Sequence, residues 1–356
     1  MRVPHYAMRS LAALALIGLM TGCGKDSNAP HAPFDPAGTT ADLDAIGASY
    51  ESEAMYGFQG ALPAISATLG ETPAAMAVRA APSRKLAAGK SGAQAYVGTL
   101  TRLYGPTTVG MRPLAPRAAI LDEHLGKTFV RNAQTLEYEV SSRTGAPSNG
   151  VRFIVYAANP ISGQPVTPLQ EVGYADVEVT TTTSGGSVRL ELVSGNVTYL
   201  DYTVGVTANQ SQTAGTITIA GFVSNGEDRV NFDMDLHLDD NTLAFDYTLS
   251  LPTRGNFRLD LEESRNLSTS TTTTSLELRG PHGTITLAGS YTDSAGNFEV
   301  EVNGDPFATI VVSAGSEPVI TGADGEPLTA QELETLRNIY LMFVGGFVFF
   351  EGLSPV

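Results

Sequence analysis

A long stretch of period-two alternation constrains the fold of this chain more than any other feature. Between Thr128 and Ser313, β-branched and aromatic residues alternate with polar ones, and turn pairs such as Asn225-Gly226 and Asn303-Gly304 punctuate the pattern. Within one segment the even positions are apolar and the odd ones polar: Val230, Phe232, Met234, Leu236 and Leu238 against Asn231, Asp233, Asp235 and His237. This pattern predicts about 11 to 14 antiparallel strands, with one face buried and the other in water.

The segments on either side of the alternating region have helical spacing. Before it, apolar residues recur every three or four positions, and Pro63 and Pro106 are expected to break the helices. After it, Thr329 and Glu332 predict a capping box at the start of a C-terminal helix. We therefore expect an α+β fold, in which a large, strongly curved antiparallel sheet of half-barrel or barrel-like form packs against N-terminal helices and a C-terminal helix. A two-sheet sandwich is the alternative.

The composition divides the chain into five segments. Residues 1–22 are expected to be a signal peptide, and 23–40 a flexible tether. Residues 41–127 are expected to be helical, 128–315 to form the sheet, and 316–356 to form a C-terminal helix that packs on the sheet. The apolar run within the last segment is too short to cross a bilayer.

The N-terminus carries an export signature. Arg2 and Arg9 precede an apolar run, Leu11–Met20, which is followed by Thr21-Gly22 and by Cys23, the single cysteine of the chain. This arrangement resembles the lipobox of bacterial lipoproteins, although Met20 stands where that family usually has Leu. The resemblance implies that the Cys23 thiol is alkylated by a diacylglyceryl group and that the chain is cut just before it.

The same resemblance implies a location. Two or three acyl chains on Cys23 would anchor the protein stably in a membrane. In such lipoproteins, Gly rather than Asp after the cysteine, here Gly24, implies the outer membrane, with the domain facing either the periplasm or the cell exterior. The predicted sheet with helical covers is also similar in outline to the half-barrel lipid carriers of lipoprotein transport, a similarity of architecture that no motif supports.

Charge and motif content exclude several classes of function. Residues 1–190 hold 14 acids and 15 bases, whereas residues 191–356 hold 23 acids and 6 bases. Nucleic acid is a poor partner for such a chain, because binding to phosphates depends on Lys and Arg. The sequence contains no GxSxG, HExxH, GxGxxG or Walker A motif. It therefore predicts no enzyme activity, no catalytic residue and no cofactor.

One cluster of charged residues emerges when the strands are aligned by their apolar positions. Pairing Leu238 with Leu243, and Leu251 with Phe257, makes every buried residue face another across two hairpins. The same alignment gathers five carboxylates on the polar face, which we call the acidic patch: Asp233, Asp235, Asp246, Asp260 and Glu262. Like charges opposite each other are destabilising.

Two interpretations of the acidic patch follow from this repulsion. It is either a solvated face relieved by Arg258 and Arg229, or the binding site of a cation or a basic partner. No calcium loop of the D-x-D-x-D-G type occurs, so we assign no metal.

The sequence thus predicts a non-enzymatic envelope lipoprotein, held to the membrane through Cys23. Its partner would be an apolar ligand, such as a lipid or acyl chain, or another envelope protein, bound within the helix-covered sheet. The alternative is a structural or assembly lipoprotein with a filled core, which acts through protein-protein contacts. A hydrolase without a recognisable motif is the weakest of the three.

Overall fold

The computed structural model describes residues 35–69, 120–181, 185–208, 215–239, 241–292, 294–313 and 319–330, together with 332, 333 and 336. Cys23 lies outside the described residues, as do Pro106 and the apolar run at 339–350. Among the described residues, two helices precede the strands, α1 (Pro36–Ala48) and α2 (Glu53–Leu69). No described helix combines the length and the apolar character that crossing a membrane requires.

Fifteen strands in the described part of the chain follow the helices and belong to one sheet. They are β1 (Lys127–Arg131), β2 (Tyr138–Ser141), β3 (Gly150–Tyr156), β4 (Glu171–Thr181), β5 (Gly185–Ser194), β6 (Val197–Ala208), β7 (Gly215–Ser224), β8 (Arg229–Leu238), β9 (Thr242–Leu251), β10 (Phe257–Asn266), β11 (Thr271–Gly280), β12 (Gly283–Tyr291), β13 (Ala295–Val302), β14 (Asp305–Ser313) and β15 (Val319–Gly322). From β3 to β15, each strand pairs antiparallel with the next. The sheet is mixed, because β1 lies parallel to β3 and antiparallel to β2.

The predicted α+β fold with a C-terminal helix is wrong. In the described residues, helix amounts to α1, α2, one turn of 3-10 helix at Asp122–His124 and four helical residues after the last strand, Ala330, Glu332, Leu333 and Leu336. A strand, β15, occupies the start of the segment for which the sequence predicts the C-terminal helix, because β-branched residues there pair with β14. The sheet formed by the described strands is also not closed, because its strand order runs from β15 at one edge to β2 at the other.

Helix starts follow local capping chemistry. The Asp35 side chain accepts a hydrogen bond from the Gly38 amide at 3.0 Å, so α1 begins at Pro36, inside the segment predicted as a tether. The capping box predicted at Thr329 is confirmed, since Thr329 and Glu332 exchange hydrogen bonds at 2.8 and 3.3 Å. The predicted helix break at Pro63 is wrong, because α2 continues through this residue to Leu69.

One face of the sheet carries the hydrophobic core, and we call it the inner face. Its buried side chains include Val177, Leu190, Leu200, Met234 and Leu259, and α2 packs on it across β2 to β6. Two glycines allow this packing: a Cβ at Gly57 would lie 2.5 Å from the Tyr156 carbonyl oxygen, and one at Gly60 would lie 2.3 Å from that of Gly163. The opposite, mostly polar face is the outer face.

Candidate functional site

The acidic patch forms on the outer face of β8, β9 and β10. The predicted registers of both hairpins are confirmed: Leu238 pairs with Leu243, and Leu251 with Phe257. Asp246 consequently lies directly opposite Asp235 on one side and Glu262 on the other. Three carboxylates therefore stand in one row across three strands.

The second row of the acidic patch is partly neutralised. Asp233 and Asp260 lie on either side of Thr248. Arg258 donates to both carboxylate oxygens of Asp260, at 2.7 and 2.6 Å, and the Thr248 hydroxyl donates to it at 2.7 Å. Burial raises the pKa of Asp260, but the hydrogen bonds from Arg258 and Thr248 outweigh it and hold the pKa below its usual value. In contrast, partial desolvation and the nearby charge of Asp235 raise the pKa of Asp233.

Arg229, the second arginine expected to relieve the repulsion in the acidic patch, makes its contacts elsewhere. Its guanidinium donates to Asn231 at 2.7 Å and lies 3.6 Å above the Phe222 ring. Within the described strands, no ion pair reaches Asp235, Asp246 or Glu262. The described residues also include no group of three or more His, Cys, Asp or Glu side chains arranged to hold a metal ion.

A second polar group, which the sequence reasoning missed, lies on the inner face. We call it the inner polar cluster: Glu263 and Arg265 on β10, Thr272 and Thr274 on β11, and Tyr291 on β12. Glu263 pairs with Thr274, Arg265 with Thr272, and Thr272 with Tyr291 across the strands. Glu263 is 7% exposed and Thr272 is 3% exposed, although apolar residues form most of this face.

The Glu263 carboxylate is incompletely satisfied. Thr274 donates to its Oε1 atom at 3.0 Å, whereas Oε2 is buried and has no hydrogen-bond partner among the described residues. Burial raises the pKa of Glu263, and the hydroxyl groups of Thr274 and Tyr291 only partly oppose this effect. The Thr272 hydroxyl on the neighbouring strand is likewise buried and without a partner in the described part of the chain. Such groups cost folding free energy and call for an explanation.

A third polar group fastens α1 to the turn between β11 and β12. The two ring nitrogens of His282 face carboxylates on α1 and its cap, with Nδ1 3.2 Å from Asp35 and Nε2 3.8 Å from Asp42. A Cβ at Gly38 would lie 2.3 Å from the His282 ring, so the helix approaches this turn closely. Burial raises the pKa of Asp42, against the opposing charges of His282 and Arg254. These contacts position α1 against this turn.

The sequence holds a signal for the inner polar cluster. Leu259 and Leu261 face inward, so continued alternation along β10 places Glu263 and Arg265 on the same face. Glu and Arg are rarely buried without partners, so their charge predicts that these two side chains are exposed. The charge of these residues and the alternation along β10 therefore make opposite predictions. Comparison with family models, with curated proteins and with solved structures finds no match to this chain.

Proposed function

We propose that this protein is a non-enzymatic lipoprotein of the bacterial envelope that binds an apolar ligand, a lipid or an acyl chain, against the inner face of its sheet. Acylated Cys23 would hold it in the outer membrane, with the sheet facing the periplasm or the cell exterior. The anchor is supported by the charged, apolar and small residues that precede Cys23.

The inner polar cluster is the observation that carries this proposal. A face that served only as a core would be expected to be apolar throughout, since buried polar groups without partners are destabilising. Glu263 instead lies opposite Phe245 and two residues after Leu261, so a partly unsatisfied carboxylate adjoins apolar side chains. Ligand sites in proteins commonly combine an apolar lining with a few polar groups in this way.

The outer face supports a second candidate function. Asp235, Asp246 and Glu262 form a row of carboxylates without ion-pair partners among the described residues. A basic surface of another envelope protein would relieve their repulsion. A structural or assembly lipoprotein with a filled core would act through such a contact and would need no ligand on the inner face.

Lipid that copurifies with the protein distinguishes these functions. The full chain is expressed in a bacterial host, purified, and extracted with organic solvent under denaturing conditions, and the extract is analysed by mass spectrometry. The proposal predicts lipid at near one equivalent per chain. No lipid, together with a melting temperature that added lipid leaves unchanged, would contradict it and favour the structural function.

A Cys23→Ser variant provides the matched control. Solvent extraction removes only noncovalent lipid, so the variant and the wild type are expected to release the same lipid from the inner face. The mass of the intact chain tests the anchor separately. Wild-type protein is expected to carry acyl chains on its N-terminal cysteine, and the variant is expected to carry none.

A further inference from the structure

We infer that the inner polar cluster binds the head group of the ligand, and that this head group is uncharged and carries a hydroxyl, as in a long-chain alcohol or a monoacylglycerol. The inference rests on the proposed function and deepens it. It is carried by two polar atoms that the described residues leave without partners, Oε2 of Glu263 and Oγ1 of Thr272.

The register places these two atoms within reach of one ligand atom. Glu263 pairs with Thr274 on β11. Thr272 lies two residues before Thr274 on the same strand and on the same face of the sheet. Such diagonal neighbours have Cβ atoms roughly 7–8 Å apart, within the reach of long side chains. A ligand hydroxyl that entered between the two side chains would therefore lie close to both atoms.

Charge within the cluster selects against an ionic head group. Glu263 and Arg265 already contribute one acid and one base, both buried on the same strand. A phosphate or carboxylate would place a second anion beside Glu263, and an ionic head group of either sign would lose its hydration at this buried site. A hydroxyl adds no charge, and it can donate to the carboxylate while accepting from Thr272.

Apolar residues surround the cluster on the side where the rest of the ligand would lie. On β9, Phe245 lies opposite Glu263 and Leu243 opposite Arg265. Leu261 precedes Glu263 on the inner face and is buried. An aliphatic chain that continues from the hydroxyl would contact these side chains, which makes the site amphiphilic rather than purely polar.

The test measures how well three probes displace an apolar dye, Nile red, from the full chain carrying Cys23→Ser. The probes are monooleoylglycerol, methyl oleate and oleate. Monooleoylglycerol is expected to displace the dye at a concentration roughly 5- to 10-fold lower than methyl oleate, the difference that one or two additional hydrogen bonds provide. Oleate is expected to be no better than the ester, because it brings a second negative charge.

Two substitutions test whether Glu263 and Thr272 cause the preference for monooleoylglycerol over methyl oleate. Thr272→Val retains the shape of the side chain but removes the hydroxyl, and Glu263→Leu removes the carboxylate. Both are expected to reduce the preference for monooleoylglycerol to less than about 2-fold while leaving methyl oleate unchanged. Ser264→Ala, one residue away and exposed on the outer face, is the control and is expected to behave as the wild type.

The outcomes separate the inference from the proposed function. If all three probes displace the dye equally, or if Thr272→Val keeps the preference, the head-group inference is wrong, the two polar atoms are satisfied by water, and the apolar ligand site stands. If no probe displaces the dye and no lipid copurifies, the proposed function itself fails. Thr272→Val is a conservative change, so the test remains decisive even where Glu263→Leu does not fold.

Discussion

Two regions of the outer face align charged side chains across neighbouring strands, but the charges are paired in one region and largely unpaired in the other. On β3 to β6, arginines lie among carboxylates in a group that we call the paired region: Arg152, Asp176, Glu178, Arg189, Glu191 and Asp201. On β8 to β10, the acidic patch places carboxylates opposite one another. Both regions contain a row of three carboxylates on neighbouring strands: Asp176, Glu191 and Asp201 in the paired region, and Asp235, Asp246 and Glu262 in the acidic patch. Arginines form ion pairs with all three carboxylates of the first row, whereas no ion pair of the described residues reaches the second row.

The paired region satisfies its charges in detail. Arg152 donates to both oxygens of Asp176 at 2.7 Å and lies 3.7 Å above the Tyr174 ring. Arg189 donates to both oxygens of Asp201 at 2.8 Å and reaches Glu178 at 3.1 Å. These hydrogen bonds raise the pKa of both guanidinium groups and keep them charged. Among the described residues, the acidic patch has one such contact, between Arg258 and Asp260.

Breaking the more buried arginine pair is expected to have the largest effect. Arg152→Met leaves the Asp176 carboxylate, whose side chain is 9% exposed, without its cation. We expect the free energy of unfolding to fall by about 3 kcal/mol, because a lone buried charge loses hydration without compensation. Denaturation by urea, followed by circular dichroism, measures the change.

Arg258→Met is the matched control for this prediction in the acidic patch. The Arg258 side chain is 48% exposed, so its pair with Asp260 is screened by water. We expect this variant to lose less than about 1 kcal/mol. Equal losses in the two variants would mean that the paired region is no more stabilising than the acidic patch, and the comparison would fail.

The same substitution in each region is expected to change stability in opposite directions. Asp201→Asn removes the charge that holds Arg189 by two hydrogen bonds, and we expect a loss of about 1 kcal/mol. Asp246→Asn removes the central carboxylate between Asp235 and Glu262, and we expect a gain of about 0.3 kcal/mol. Unfolding measured at low and at high salt tests both signs, because screening reduces the gain at Asp246. A loss in both variants would indicate that the acidic patch has a compensating partner.

The acidic patch can be predicted from the sequence because only one strand register pairs the apolar residues with one another. A shift of one residue between β8 and β9 would turn Met234 and Leu236 to the outer face and expose them. The outer carboxylates are then placed without any further information. The paired region follows the same rule, and Arg152 opposite Asp176 could have been found by continuing the alignment to β3 and β4.

The remaining features depend on tertiary context that alternation does not encode. Strand β15 has four residues, too few to establish a period, and its pairing with β14 decides its structure. Pro63 removes one hydrogen bond from α2, but Phe58 and Ile65 bury that helix in the core and keep it continuous. The inner polar cluster requires two charged residues to face inward, which composition alone argues against.

The smallest expected effect is a pH dependence of stability that differs between two residues of the acidic patch, Asp233 and Asp260. Asp233 and Asp260 flank Thr248, but the pKa of Asp233 is raised whereas that of Asp260 is lowered. A lowered pKa contributes stability above the usual carboxyl pKa, and this contribution is lost as the pH falls through the folded-state value. A raised pKa contributes stability at low pH, which is lost as the pH rises through the folded-state value. At neutral pH, Asp260→Asn is therefore expected to be less stable than the wild type, and Asp233→Asn more stable.

Both differences are expected to disappear on acidification, because a protonated aspartate and an asparagine are alike in charge. Thermal melts of the two variants and the wild type between pH 7 and about pH 2 measure the convergence, because the lowered pKa of Asp260 places its protonation below the usual carboxyl range. Asp239→Asn is a useful control: backbone amides of Asn241 and Thr242 lower the Asp239 pKa, so it is expected to follow Asp260→Asn. If Asp233→Asn and Asp260→Asn shifted stability in the same direction at neutral pH, the hydrogen bonds from Arg258 would not distinguish Asp260 from Asp233, and this comparison within the acidic patch would fail.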